Sequence, residues 1–217
     1  MNLVKFSIFI TVITCVVAAI AINLVPEGLQ LPIHWNASGE VDRMTNATTA
    51  LIMPPVLMIA SLLVLTVLKH LEPRKENLTH SLTAARAIIA SVVALLAIIE
   101  AGYLAMLLGV EFEMHKVILA SVGLVLMVAG NYMSKTRSNF FIGIRTPWTL
   151  SSDEVWRKTH RLGGKLFMLA GVITMLVAPF ANNELLKLVI PVVVVPAALI
   201  PVGYSWWLWR EEQKKHP

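Results

Sequence analysis

Six long apolar runs, broken by short polar interruptions, set the plan of the chain: residues 4–25, 50–68, 83–108, 117–133, 162–180 and 185–208. A helix needs roughly 20 predominantly apolar residues to cross a bilayer core, so each run predicts a spanning helix. The run 117–133 is the shortest and borrows from Lys116 and Ser134 at its ends. Pro54 and Pro55 are expected in the first turn of the second helix, where their missing donors would have had no partner anyway. Pro191, Pro196 and Pro201 recur along the sixth run without sharing a face, and predict a bent or broken helix. Ala19-Ile20-Ala21 resembles a cleavage site, but the first run is longer than a signal-peptide core, so an uncleaved anchor is expected.

Composition agrees with this pattern. The chain is 57% hydrophobic and 14% charged, with a mean hydropathy of +0.72, which leaves too little polar surface for a soluble domain of this length. The expected fold is all-α, a polytopic membrane protein of six transmembrane helices. The single cysteine, Cys15, excludes an intrachain disulfide and a cysteine-based metal cluster. Charge then orients the chain. With the N-terminus cytoplasmic, thirteen lysines and arginines fall on inside segments and three, Arg43, Lys116 and Lys187, fall outside. The positive-inside rule therefore predicts both termini cytoplasmic. Trp206-Trp207-Leu208-Trp209-Arg210 reads as an aromatic belt closing the sixth helix.

Two connections exceed simple turns. The first, residues 26–49, faces out and contains "LPIHWNASGEVDR". Two readings stand side by side for it: a solvated hairpin-like loop, or a recognition surface using His34, Trp35, Asn36, Gly39 and Asp42. The second joins the fourth and fifth runs and faces in. Phe140, Phe141 and Ile142 belong in the interface, Gly143 allows a turn, and Pro147 forces Thr146 out of helical geometry. Ser151 and Glu154 have capping-box spacing, and Asp153/Arg157 and Glu154/Lys158 have favourable i,i+4 order. These features predict one short cytoplasmic interfacial helix leading into the fifth span. They leave Arg145-Thr146-Pro147-Trp148 without an explanation.

Residues 130–167, "GNYMSKTRSNFFIGIRTPWTLSSDEVWRKTHRLGGKLF", resemble the signature of the SdpI family of bacterial membrane immunity proteins. The matching pieces are Gly130-Asn131, Asn139 to Gly143, Arg145 to Thr149, and Trp156 with Thr159-His160-Arg161. "LPIHWNASGEVDR" followed by "MPP" is similar to an extracytoplasmic-loop domain of unknown function that often precedes that signature. The resemblance divides the chain into an N-terminal two-helix unit, 1–82, and a four-helix unit, 83–217. It implies protection against a secreted peptide toxin met on the outer side. It also implies, for some members, a transcriptional repressor held at the membrane on the inner side. The residues it marks for a ligand or partner are Asn139, Gly143, Arg145, Thr146, Pro147, Trp148, Trp156, His160 and Arg161. For the arginines and tryptophans among them, binding to membrane lipids is the competing reading.

Glu100 is the only acid inside a predicted span, and an intramembrane carboxylate is a functional candidate by default. A small transporter or channel using Glu100 is therefore the alternative function, and an enzyme acting on lipid or envelope substrates is a further one. Glu111, Glu113 and His115, with His34, match no strong metal signature and read as a solvated acidic loop. No H-E-x-x-H, nucleophile elbow, P-loop or dinucleotide fingerprint occurs. A non-enzymatic protein without cofactor, metal or direct nucleic-acid contact is expected.

Overall fold

A computed structural model describes residues 2–215. Among these residues, six helices are long and apolar enough to cross a membrane. The elements run α1 (Leu3–Ile22), β1 (Gln30–Trp35), β2 (Val41–Asn46), α2 (Ala47–Leu71), α3 (Lys75–Leu107), α4 (Met114–Met133), α5 (Pro147–Ser151), α6 (Asp153–Val177), α7 (Asn183–Val189) and α8 (Val195–Lys215). A π-helical turn, Ile190–Val194, joins α7 to α8, so the sixth span is interrupted and not merely curved. Its Pro191 lies in that turn, where the wider winding accommodates a residue that cannot donate.

The helices pack as a triangle extended into a file. α1, α2 and α3 contact one another; α3 then leans on α4, α4 on α6, and α6 on α8. In α1 the usual arrangement of a soluble helix is reversed. Ser7, Thr11 and Thr14 are buried while Phe9, Val12, Val16 and Ile20 are exposed. Each buried hydroxyl donates to the carbonyl four residues earlier, at 2.8–2.9 Å, so small polar residues face the bundle and apolar ones face the hydrocarbon.

The tightest contact is between α4 and α6. A Cβ placed on Gly130 would stand 2.7 Å from the Gly164 carbonyl oxygen, and one on Gly171 would stand 2.6 Å from the Gly123 oxygen. Two glycines seven residues apart on each helix thus bring the backbones together over two turns. Close approach of this kind holds helices together where water exclusion supplies no driving force.

Several boundaries differ from expectation, each for a physical reason. α2 starts at Ala47, capped by the Asn46 side chain accepting from Thr48 N–H at 2.8 Å, which puts Pro54 and Pro55 inside the helix and not in its first turn. α3 begins at Lys75, and its 33 residues span about 50 Å by helical rise. It therefore exceeds an apolar core of roughly 30 Å by about 20 Å, nearly four turns. The helix expected as a separate interfacial element is the start of α6 itself. Ser152, not Ser151, caps it, accepting from Val155 N–H at 3.3 Å, while the Ser151 hydroxyl donates to Trp148 O at 3.0 Å. Glu154 takes both Arg157 and Lys158, and Asp153 pairs with neither.

A substitution series tests the glycine contact. Gly130→Ala is expected to lower the melting temperature of the detergent-solubilised protein by an amount matching about 1–3 kcal/mol of overpacking. Gly203→Ala, with nothing within 4 Å of the new Cβ, is expected to leave it unchanged or slightly raised.

Candidate functional site

At one end of the bundle, residues 134–152 form a folded connection whose backbone is held by buried side chains. Asn139, fully buried, is its centre. The Asn139 oxygen accepts from Phe141 N–H at 2.9 Å and Ile142 N–H at 2.7 Å. Its amide donates back to the carbonyls of Arg137 at 2.7 Å and Ile142 at 3.2 Å. His160, also fully buried, reaches up from α6: Nε2 accepts from Ile144 N–H at 2.8 Å and Nδ1 lies 2.8 Å from Trp156 O. Both bonds are satisfied by the neutral ring carrying its proton on Nδ1. The ring also stacks on Trp156, centroids 3.9 Å apart, and the indole N–H of Trp156 donates to Thr136 O at 3.1 Å.

Gly143 is the one position here that admits no side chain. Its φ is +122°, and a Cβ would collide with His160 Nε2. The chain then enters α5 through a reciprocal cap: Thr149 N–H donates to the Thr146 hydroxyl at 3.1 Å and Thr146 N–H to the Thr149 hydroxyl at 2.9 Å. Pro147 follows at the first helical position, where it needs no donor. The Thr146 hydroxyl lies 3.1 Å from that of Ser205, which fastens α5 to α8.

A second set of residues grips the connection from the turn between α2 and α3. Glu72, 1% exposed, accepts from Arg74 N–H and from Phe140 N–H, both at 2.9 Å. Arg74 donates to the Ser138 hydroxyl and to Leu150 O, and its guanidinium sits 5.0 Å above the Phe140 ring. Asn77 donates to Ser138 O at 2.8 Å, and the Ser81 hydroxyl accepts from Arg137 N–H at 3.0 Å. In the sequence these residues read as ordinary loop charges and helix polar groups. The only hint was "EPR" in a short turn between two apolar runs.

The nine residues marked at this end therefore separate by environment. Asn139, Thr146, Trp156 and His160 are buried and occupied by internal bonds. Gly143 is exposed but committed to its turn. Arg145, Pro147 and Arg161 are exposed and Trp148 is half-buried, so these four can meet another molecule. Arg145 returns one bond to the loop, to Phe140 O at 3.0 Å.

At the opposite end, β1 and β2 form an antiparallel hairpin, pairing Gln30 with Asn46 through Trp35 with Val41. The tip is a turn organised by Asn36, whose side-chain oxygen accepts from Ser38 N–H at 2.8 Å and Glu40 N–H at 3.1 Å. Gly39 supplies the φ of +78° and lies against His115 of α4 and Leu186 of α7. Leu31 and Trp35 pack with Ala47, Leu51, Tyr103 and Met114, and the Tyr103 hydroxyl donates to Pro32 O at 3.0 Å. His34 and Asp42 remain exposed as a cross-strand pair at 2.6 Å. Glu113 sits at the N-cap position of the neighbouring helix α4, and His115 lies in its first turn. A hydrogen bond from Lys116 holds the Glu113 carboxyl below its ordinary range. Among the described residues no group of three histidines, cysteines or acids converges as for a metal ion. Glu100 sits one helical turn inward from Tyr103, 2% exposed, and neither of its oxygens has a partner among the described residues.

Comparison with known proteins places both ends. Residues 135–205 match the SdpI/YfhL protein family, and residues 9–59 match a domain of unknown function, DUF1648. Most of the stretch singled out in the sequence thus lies within a region similar to the SdpI/YfhL family. It is 28% identical over 205 residues to Immunity protein SdpI of Bacillus subtilis (strain 168), covering 94% of this chain and 95% of that one. No solved structure gives a significant match. The first match takes in the folded connection with α6, α7 and about half of α8, and the second takes in the hairpin with parts of the helices that flank it.

The internal bonding predicts a contrast. Asn139→Ala strands two amides, at about 1–3 kcal/mol each, and is expected to destabilise the protein and expose the connection to limited proteolysis. Arg145→Ala is expected to leave both the melting temperature and the cleavage rate at wild-type values.

Proposed function

We propose that this chain is a membrane immunity protein that protects its cell from a secreted antimicrobial peptide. The observation that carries this reading is the similarity to Immunity protein SdpI, which runs almost end to end and so includes both the hairpin and the folded connection. The charge distribution supports a hairpin that faces out and a basic end, with both termini, that faces the cytoplasm. The toxin then meets the hairpin, with His34 and Asp42 as its exposed polar contacts and Trp35, Asn36 and Gly39 setting the shape of the tip. On the inner side Arg145, Pro147, Trp148 and Arg161 form the surface on which a transcriptional repressor is held. The role is binding and sequestration, without a chemical step.

Glu100 favours a second reading. A buried carboxyl without a partner is costly in a bilayer, and its place one turn beneath the hairpin suits a small transporter that couples an outer event to proton movement. Glu100→Gln keeps the shape and removes the titratable group. Under the transport reading this variant abolishes ion flux in proteoliposomes; under the immunity reading it leaves resistance intact.

Toxin challenge of a sensitive strain expressing the chain separates the functions. Wild type is expected to raise survival, and a His34→Ala, Asp42→Ala double variant at equal membrane level is expected to lose that protection. Trp148→Ala is expected to keep protection but release the repressor from the membrane fraction. No gain in survival against any of several peptides of the killing-factor type contradicts the proposal.

A further inference from the structure

The close approach of α4 and α6 leaves a groove of about 560 Å³ along the seam beside Gly130 and Gly164. Its mouth, at the end bearing the folded connection, is lined by Lys135 from the end of α4 and by Arg161 and Lys165 from α6. Its floor continues along α6 through Met168, Leu169 and Val172. All three cations are exposed. Among the described residues none of them forms an ion pair, whereas neighbouring Lys158 and Arg157 are both neutralised by Glu154. Lys135 has only the Asn131 side-chain oxygen at 3.4 Å and the Tyr132 ring, 4.7 Å from its ammonium.

This arrangement is unfavourable when empty. Arg161 and Lys165 are like charges at i,i+4 on one helix face, which destabilises a helix unless an anion lies between them, and Lys135 adds a third charge across the seam. We propose that the groove is a site for one anionic phospholipid, its phosphate held by Lys135, Arg161 and Lys165 and an acyl chain lying on Met168, Leu169 and Val172. Charge complementarity selects the anion. The apolar floor selects a lipid over an acidic protein segment, because it runs inward along a spanning helix, where only a molecule with a hydrocarbon tail follows it. Basic pockets between helices at the membrane surface bind anionic headgroups by the same physics. The glycine contact sets the site's form: larger residues at Gly130 and Gly164 would part the helices that wall the seam. The site shares Arg161 with the surface proposed for the repressor, but it rests on the groove and its three charges and not on the immunity reading.

The test uses the full chain, reconstituted in vesicles of equal parts phosphatidylglycerol and phosphatidylcholine, then extracted and weighed by native mass spectrometry. Wild type is expected to retain phosphatidylglycerol selectively. The Lys135→Gln, Arg161→Gln, Lys165→Gln triple variant is expected to lose that retention, with roughly a five-fold weakening for each cation removed. An Arg137→Gln, Lys214→Gln, Lys215→Gln triple, equal in charge but outside the groove, is expected to retain it. Leu169→Trp obstructs the floor without changing charge and is expected to reduce retention also, which keeps the test decisive if the triple variant fails to fold. Glycerol phosphate, the headgroup without its tail, is expected not to compete. The proposal is overturned if the groove triple or Leu169→Trp, folded, retains phosphatidylglycerol like wild type, or if the control triple loses as much. It is also overturned if glycerol phosphate displaces the lipid, which would mark an ion site.

Discussion

Between α4 and α6 the chain leaves helical geometry for more than a dozen residues, at the edge of a medium that offers backbone amides few partners. Every such amide turned inward needs a bond from within the protein, and Glu72, Asn139, Thr149 and His160 supply them to Phe140, Phe141, Ile142, Thr146 and Ile144. The rest of this end depends on that requirement. It explains a buried carboxylate in a two-helix turn, a glycine that tolerates no Cβ, and a histidine locked as one tautomer. It also explains why α3 extends beyond the apolar core, since only a longer helix brings Asn77 and Ser81 to the connection. Leaving any of these amides unpaired costs more than the net value of an ordinary hydrogen bond, so the connection folds as a unit.

The glycine seam makes the arrangement rigid. Gly123, Gly130, Gly164 and Gly171 bring α4 and α6 into backbone contact, so both ends of the connection leave from a fixed pair of helices. Asn139 and His160 can then meet their partners without reorganising. The same seam runs from the folded connection toward the hairpin end, where His115 of α4 touches the hairpin tip. The two surfaces that would meet different partners are therefore joined through one stiff element.

The sequence revealed different features to different degrees, and the physics of each accounts for it. The six spans were legible because hydropathy reports what lipid demands. Their ends were less so: Lys75 to Ser81 and Asp153 to Arg161 are polar turns that continue helices past the lipid, where hydropathy falls although the helix does not end. A hairpin-like loop was one reading of residues 26–49, but its ordered strands were hidden by Pro32 and by weak alternation along "QLPIHW", because that order comes from packing on Tyr103 and Leu51. Ser151 was the cap expected from its spacing to Glu154; the caps instead fall at Thr146 and Ser152, which tertiary bonds fasten to Ser205 and Glu212. Glu72 and Arg74 carried almost no signal, since a buried acid and a solvated one are spelled alike. The family signature marked a stretch that is hydrogen-bonded from within, yet composition gave no means of separating its architectural members from the accessible Arg145, Pro147, Trp148 and Arg161.

The central claim is that the signature connection is a folded platform, held from within, that displays a few residues and hides the rest. Hydrogen exchange of the unmodified protein in lipid nanodiscs tests it most directly, amide by amide. The account predicts that Phe140, Phe141, Ile142, Ile144 and Thr146 exchange as slowly as amides of the adjoining α6. Exchange of these five at the rate of the open turn glycine Gly28 would contradict it.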